Sequence, residues 1–146
     1  MVLFLGGNSH LSGSSFKIQK RIIRIIINAG RQDPCCQLYK QLHVLPLPSQ
    51  YIFSLVDFVN KNWSLFLSNS KIHDKNTRFN YNLPLPSTNL TLVQKGVLYY
   101  GSKIYNHLPF NIKMLSKDAK QFKSTLRSYL IEHTFYSLDK YYQLTS

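Results

Sequence analysis

The side chains best suited to catalysis are few in this sequence, and they stand apart from one another. No two carboxylates pair at a helical spacing within one stretch; the six are Asp33, Asp57, Asp74, Asp118, Glu132 and Asp139. A two-metal phosphoryl-transfer site needs clustered acids that hold two cations about 3.5–4 Å apart. The sequence therefore predicts no such site, and we expect neither a metal nor a cofactor.

Nucleophiles and acid–base groups are equally scattered. The chain has no phosphate-binding glycine loop, no Gly-x-Ser-x-Gly elbow and no His-Glu-x-x-His motif. Its two cysteines, Cys35 and Cys36, form no disulfide framework and fit a reducing compartment. The five histidines are isolated; they are His10, His43, His73, His107 and His133. With no catalytic set in the sequence, binding is the better-supported activity.

Charge is the feature of the sequence that bears most directly on a partner. Eighteen Lys and Arg against six Asp and Glu give a net charge of +12. So strong a field favours a polyanion, either nucleic acid or an anionic membrane surface, although charge that only maintains solubility is an alternative. Met1 to Leu5 is far shorter than a signal-peptide core, and no stretch has the length to span a bilayer. We expect an intracellular chain, nuclear or cytoplasmic, with no membrane partner.

The basic residues are spaced most regularly between Phe16 and Gly30. Cationic side chains recur there at steps of three and four, and apolar ones recur on the other side, which predicts an amphipathic helix. Ser14 or Ser15 is expected to cap its start, and Gly30 to end it in the left-handed conformation. The expected buried face consists of Ile18, Ile22, Ile25, Ile26 and Ala29.

The remaining chain predicts a mainly α fold. Helical patterns follow Pro34, run from Ser49 to about Phe66, and run from Lys117 to Glu132 with Ser116 as cap. Ser68 to Asn82 has the composition of a long polar loop. The run from Leu90 to Gly101 leaves a strand and two broken helical turns both open. We expect a truncated lead-in over residues 1–15 and, over 16–146, one small basic domain of about four helices, with a short β pair as an open alternative.

Nucleic acid would be held by the outward faces of the first and last long helices. Tyr105 lies among alternating basic and aromatic residues that could stack on bases, and we include it as a candidate contact, although its place on an apolar turn favours a core position. The expected phosphate contacts are Lys17, Lys20, Arg21, Arg24, Arg78, Lys103, Lys120, Lys123 and Arg127.

Several short motifs also occur in a specific order along the chain. They include Gly7-Asn8-Ser9-His10, Ile18-Gln19-Lys20, Leu45-Pro46-Leu47-Pro48, His73-x-x-Asn76-Thr77-Arg78, Gly101-x-Lys103-Ile104-Tyr105-Asn106-x-Leu108-Pro109, Phe122-Lys123 and Phe135-Tyr136-Ser137-Leu138-Asp139. This ordered set resembles the extreme C-terminal part of the polyprotein of jockey-like non-LTR retrotransposons, downstream of the reverse transcriptase domain.

The resemblance implies the context of an RNA-directed DNA polymerase without its active site, since the catalytic acids of that family lie upstream. The chain departs from the family pattern at Gly6, where a Trp is common, and at Cys36, where a basic residue is usual. Together with the position of Met1 just before the first motif, these departures lead us to expect a non-catalytic fragment of a longer protein. It would bind RNA or DNA through its basic helix faces. The alternatives are a structural module that packs on the polymerase domain, and an inactive remnant of a decayed element.

Overall fold

The fold is built from helices that range in length from 4 to 18 residues. The computed structural model describes residues 10–68, 82–85 and 92–145, which form eight helices and no strand. The helices are α1 (His10–Ile27), α2 (Cys35–Leu42), α3 (Leu47–Lys61), α4 (Trp63–Ser68), α5 (Leu92–Asn106), α6 (Phe110–Lys113), α7 (Ala119–His133) and α8 (Leu138–Thr145). The predicted mainly α class is confirmed. The strand alternative is wrong, because Leu92–Asn106 is one continuous helix.

Helix α3 lies at the centre of the molecule. It contacts α1, α4, α5 and α7, and its apolar stripe of Ile52, Leu55, Val56 and Val59 is fully buried. This stripe lies within the helical pattern predicted from Ser49 to about Phe66, and residues of α5, α7 and α8 belong to the same core cluster. A smaller apolar cluster lies between α1 and α2, centred on Tyr39.

The ends of α1 differ from the prediction. The helix begins at His10, so neither Ser14 nor Ser15 can act as its cap. It ends at Ile27, and Asn28 takes the left-handed conformation with φ of 58°, whereas Gly30 has no positive φ. Among residue types, only glycine tolerates this conformation better than asparagine.

Two other boundaries also move. The expected helix from Ser49 to Phe66 starts at Leu47 and is interrupted at Asn62, which separates α3 from α4. Helix α7 is capped by Asp118, whose Oδ1 accepts a hydrogen bond from the Gln121 N–H at 3.2 Å, and not by Ser116. The expected polar loop, including Arg78, lies outside the described residues except at its two ends.

Candidate nucleic-acid interface

Helix α1 has three faces rather than two. The face that packs on the protein carries Ile23, which is 3% exposed, together with Phe16 and Ile27. Successive residues are rotated by about 100° around the helix axis. The cationic side chains therefore lie roughly a third of a turn from the packed face in one direction, and a set of isoleucines lies roughly a third of a turn from it in the other. The predicted buried face is therefore wrong: Ile18, Ile22, Ile25 and Ile26 are 59%, 49%, 69% and 63% exposed.

The polar side chain of Gln19 helps to hold α1 in this rotation. Its Oε1 accepts hydrogen bonds from the Tyr39 hydroxyl at 3.0 Å and from the Leu47 N–H at 2.9 Å. Its Nε2 donates to the Leu45 carbonyl at 3.0 Å. Gln19 thus joins α1 to α2 and to the start of α3, and the face that carries it must point inward.

The cationic face of α1 is displayed outward. Lys17 and Arg21 are exposed, and Arg24 is half-buried. Lys20 lies nearer the protein, with its Nζ 4.5 Å from the centre of the Phe16 ring and 5.8 Å from that of Tyr136. A cation at this distance is attracted by the ring quadrupole, which holds the Lys20 stem along the surface.

An open cleft of about 540 Å³ adjoins this face, and three of its five lining residues are arginines. Its walls are Arg21, Arg24, Ile25, Ala29 and Arg31. No acidic side chain lines the cleft. An arginine-lined cleft of this kind has the charge and the donor geometry to bind phosphate oxygens.

The turn after α1 orients one of these arginines. Arg24 donates from Nε and Nη2 to the Asp33 carbonyl, at 3.3 and 3.2 Å. The Asp33 carboxylate in turn accepts a hydrogen bond from the Gly30 N–H at 2.7 Å. These contacts hold the Arg24 fork on the turn that carries Arg31. The helical periodicity could have signalled Arg31, because it continues the spacing of the basic face, but it was not among the expected contacts.

The second expected set, on α7, has different surroundings. Lys120 is exposed. Lys123 Nζ lies 3.4 Å from Asp57 Oδ1, and Lys61 pairs with the same carboxylate at 2.8 Å. Arg127 donates from Nη2 to the His43 carbonyl at 3.0 Å. Lys123 is therefore partly neutralised, and Arg127 is tied to the end of α2.

The two sets of cations meet opposite ends of the same short helix. Arg24 bonds to Asp33, just before α2, and Arg127 bonds to His43, just after it. At 1.5 Å per residue, roughly 15 Å of chain axis separates the two positions. The expected residues thus form two separate groups along α2, not one compact site.

Lys103 and Tyr105, two further expected contacts, do not extend either group. Tyr105 is 2% exposed, and its ring packs edge-on against Trp63 with centroids 5.1 Å apart. It therefore has the core position that its apolar turn favoured, and the candidate stacking on bases at Tyr105 is wrong. Burial raises the pKa of Tyr105. Lys103 lies on α5, with its Nζ 4.7 Å from the centre of the Tyr142 ring. Trp63 and Tyr105 belong to the core, where their large rings stabilise the fold.

One lysine is buried, which the sequence did not indicate. Lys113 is 7% exposed, and its Nζ donates to Asn82 Oδ1 at 2.8 Å and to the Asn106 carbonyl at 2.6 Å. Burial lowers the pKa of Lys113, because desolvation disfavours its charged form. This cation supports the end of α5 and is not available to a ligand.

A second cleft, of about 380 Å³, lies between α2 and the C-terminal part of the chain. Cys36 and His133 both line it, and the Cys36 Sγ lies 2.8 Å from the Thr134 Oγ1. Nowhere in the described ranges do three His, Cys, Asp or Glu side chains gather in a way that could hold a metal ion.

Within residues 10–68, 82–85 and 92–145, no single helix is long and apolar enough to cross a bilayer, and α2 and α3 meet the requirement only as a pair bent by 48°. No family model, no curated protein and no solved structure matches this chain.

Proposed function

We propose that this chain binds RNA or DNA through the cationic face of α1 and the arginine cleft beside it. The observation that carries the proposal is the gathering of Arg21, Arg24 and Arg31 around one open cleft without an acidic lining residue. Guanidinium groups match the oxygens of a phosphate through paired hydrogen bonds, and the net charge of +12 would draw a polyanion toward the surface.

A ligand with many phosphates fits better than one with a single phosphate. The backbone positions that bind Arg24 and Arg127, Asp33 and His43, are separated by roughly 15 Å along the chain axis, about the rise of four base pairs of duplex. The cleft is lined by arginine and aliphatic side chains and by no aromatic ring. Without a stacking platform, contact would be mainly with the backbone, and binding would depend little on base sequence.

The resemblance described above supplies the proposed context. As the tail of a non-LTR retrotransposon reverse transcriptase, the chain would be non-catalytic and would hold template RNA or target DNA while the polymerase domain acts. Such a role places it in the nucleus or the cytoplasm. The alternative, a module that packs on the polymerase domain, draws support from the exposed isoleucines of α1. An inactive remnant would show neither interaction.

A salt series tests the proposal. Binding of labelled RNA and DNA would be measured between 50 and 300 mM salt, about the range in which phosphate contacts change affinity most visibly. Each neutralised phosphate adds about 0.9 to the log–log slope on duplex and about 0.7 on single strands. Replacing Arg21, Arg24 and Arg31 together with glutamine should reduce the slope by roughly 2–3 units.

The control removes the same charge elsewhere. Lys61, Lys117 and Lys140 are exposed and lie outside the cleft. Their combined replacement with glutamine lowers the net charge but removes no cleft contact, so it should reduce the slope by less than about one unit. Equal effects of the two triple variants would mean that the cleft has no special part, and a wild-type slope near zero would contradict nucleic-acid binding altogether.

A further inference from the structure

We propose that the exposed isoleucines of α1 form a docking face for an apolar helix of another protein whose edges carry carboxylates. The face consists of Ile18, Ile22, Ile25 and Ile26, spaced four, three and one residue apart, so that they form one ridge along α1. Each is about half exposed or more. The proposal is independent of nucleic-acid binding.

The size of this ridge separates it from ordinary surface isoleucines. Together the four side chains expose on the order of 400 Å², which is the size of the largest apolar patch on a typical monomer and is often functional. β-Branched side chains are stiff about χ1, so little rotamer freedom is lost when they pack against a partner. The ridge is thus ready for knobs-into-holes packing with a second helix.

The charges beside the ridge indicate what the partner must carry. Helix α1 contains no acidic residue. Lys17 and Arg21 lie along one edge of the ridge, the edge on which Ile25 also lines the arginine cleft. A helix that covers the ridge would place its own flanking side chains near these cations, where carboxylates are favoured and cations are disfavoured.

A second copy of this chain is a poorer occupant for the same reason. A standard interface buries about 800 Å² per partner, roughly twice the area of the ridge, so a self-dimer would have to extend over the cationic face. That extension would bring Lys17 and Arg21 of two copies together, in a chain that already carries a net charge of +12. Like charges across an interface oppose association.

A lipid surface also fits less well than a protein. Helices that lie in the membrane interface usually carry Trp or Phe on the apolar face, since aromatic rings settle at headgroup depth. The ridge has four isoleucines and no aromatic side chain. Aliphatic β-branched residues at regular helical spacing are more typical of helix–helix packing.

The experiment uses the full chain and a synthetic helical peptide as probe. The fluorescent peptide has leucines at i, i+3, i+4 and i+7 and glutamates on both sides of that stripe, and fluorescence anisotropy reports its binding. A second peptide carries lysines in place of the glutamates, and a third has serines in place of the leucines. We expect the first to bind at least about tenfold more tightly than either of the others.

The variant set separates this face from the arginine cleft. Replacing Ile18, Ile22 and Ile26 with glutamine spares every cleft residue and should weaken binding of the glutamate peptide more than about tenfold, since each buried isoleucine contributes that much or more. Nucleic-acid binding should stay within about twofold. The matched control makes the same change to glutamine at Val44, Met114 and Leu144, which are also exposed apolar residues. It should leave peptide binding unchanged.

Three outcomes would overturn the assignment. Unchanged peptide binding in the isoleucine variant would show that the ridge is not the docking face. Wild-type dimers in sedimentation equilibrium that disappear in this variant would assign the ridge to a second copy. Binding to phosphatidylglycerol vesicles that is lost in the same variant would assign it to lipid.

Discussion

At the scale of single residues, two amides join parts of the chain that are distant in sequence. Gln19 holds α1 on α2 and α3 through three hydrogen bonds. Asn106 bonds twice to the backbone of Leu83: its Oδ1 accepts from the Leu83 N–H at 2.6 Å, and its Nδ2 donates to the Leu83 carbonyl at 2.7 Å. A sequence pattern cannot reveal such bonds, because an amide on a helix surface and an amide in a buried contact look alike.

Asn106 should therefore matter for stability. Asn106→Ala would remove both bonds and leave the backbone polar groups of the buried Leu83 unpaired. We expect the free energy of unfolding, measured by urea titration, to fall by about 2–3 kcal/mol. Asn111→Ala, at an exposed position of α6, should change it by less than about 0.5 kcal/mol. Equal effects would contradict the role assigned to Asn106.

At the scale of elements, helix type was easier to predict than helix orientation. The isoleucines of α1 occur on two of its three faces, so periodicity alone could not say which face is buried. Helix α3 was unambiguous because its apolar residues form a single stripe. Helix ends were predicted at the wrong residue where a neighbouring residue has the capping role. Asn28, and not Gly30, has the left-handed conformation after α1, and Asp118, and not Ser116, caps α7.

Two glycines of α5 allow a matched test of how this helix packs. A Cβ at Gly101 would lie 3.0 Å from side-chain atoms of both Val59 and Phe66, whereas a Cβ at Gly96 would meet nothing within 4 Å. Gly96→Ala should stabilise the protein by about 0.5–1 kcal/mol through helix propensity. Gly101→Ala has the same gain in propensity but forces α3 and α4 to shift, so we expect net destabilisation of about 1–3 kcal/mol.

Thermal and urea unfolding would measure both variants. The decisive quantity is the sign of each variant's change in the free energy of unfolding relative to the wild type. If Gly101→Ala stabilised the protein as much as Gly96→Ala, the close approach of α5 to Val59 and Phe66 would be refuted.

At the scale of the whole molecule, tyrosines dominate the buried ionisable groups. Burial raises the pKa of Tyr136 and of Tyr142 to about 12, from an ordinary value of 10.0. The same cause raises the pKa of Tyr39, and raises that of Tyr141 well above its ordinary value. Tyr39, Tyr105 and Tyr141 are buried in the core, where Tyr105 cannot stack on bases.

Stability should consequently fall at alkaline pH. Above pH 10 the unfolded chain releases its tyrosine protons while the folded chain retains them, so the free energy of unfolding declines as the pH rises from 10 toward 12. The lowered pKa of Lys113 makes the free energy of unfolding rise with pH below about 10.5. This is the contribution of one group, whereas several tyrosines contribute to the decline. Urea titrations between pH 8 and 11.5 would measure the decline.

Two hydroxyls provide the control for this pH dependence. The buried hydroxyls of Tyr136 and Tyr142 have no hydrogen-bond partner within the described part of the chain. Replacing both residues with phenylalanine should leave the stability at pH 8 unchanged or slightly higher, since an unpaired buried hydroxyl is unfavourable. The decline above pH 10 should become shallower. An identical decline would mean that other groups cause it.

The sequence by itself determined the helical class and the excess of positive charge, because composition and helical periodicity are local properties. Only the tertiary structure decided how α1 is rotated, which cations gather around a cleft, and that Tyr105 and Lys113 are buried. Those features depend on hydrogen bonds and packing between residues far apart in the chain, such as Gln19 with Leu47 and Arg127 with His43. No local pattern encodes such pairs, so the isoleucine face that looked like core became an exposed surface.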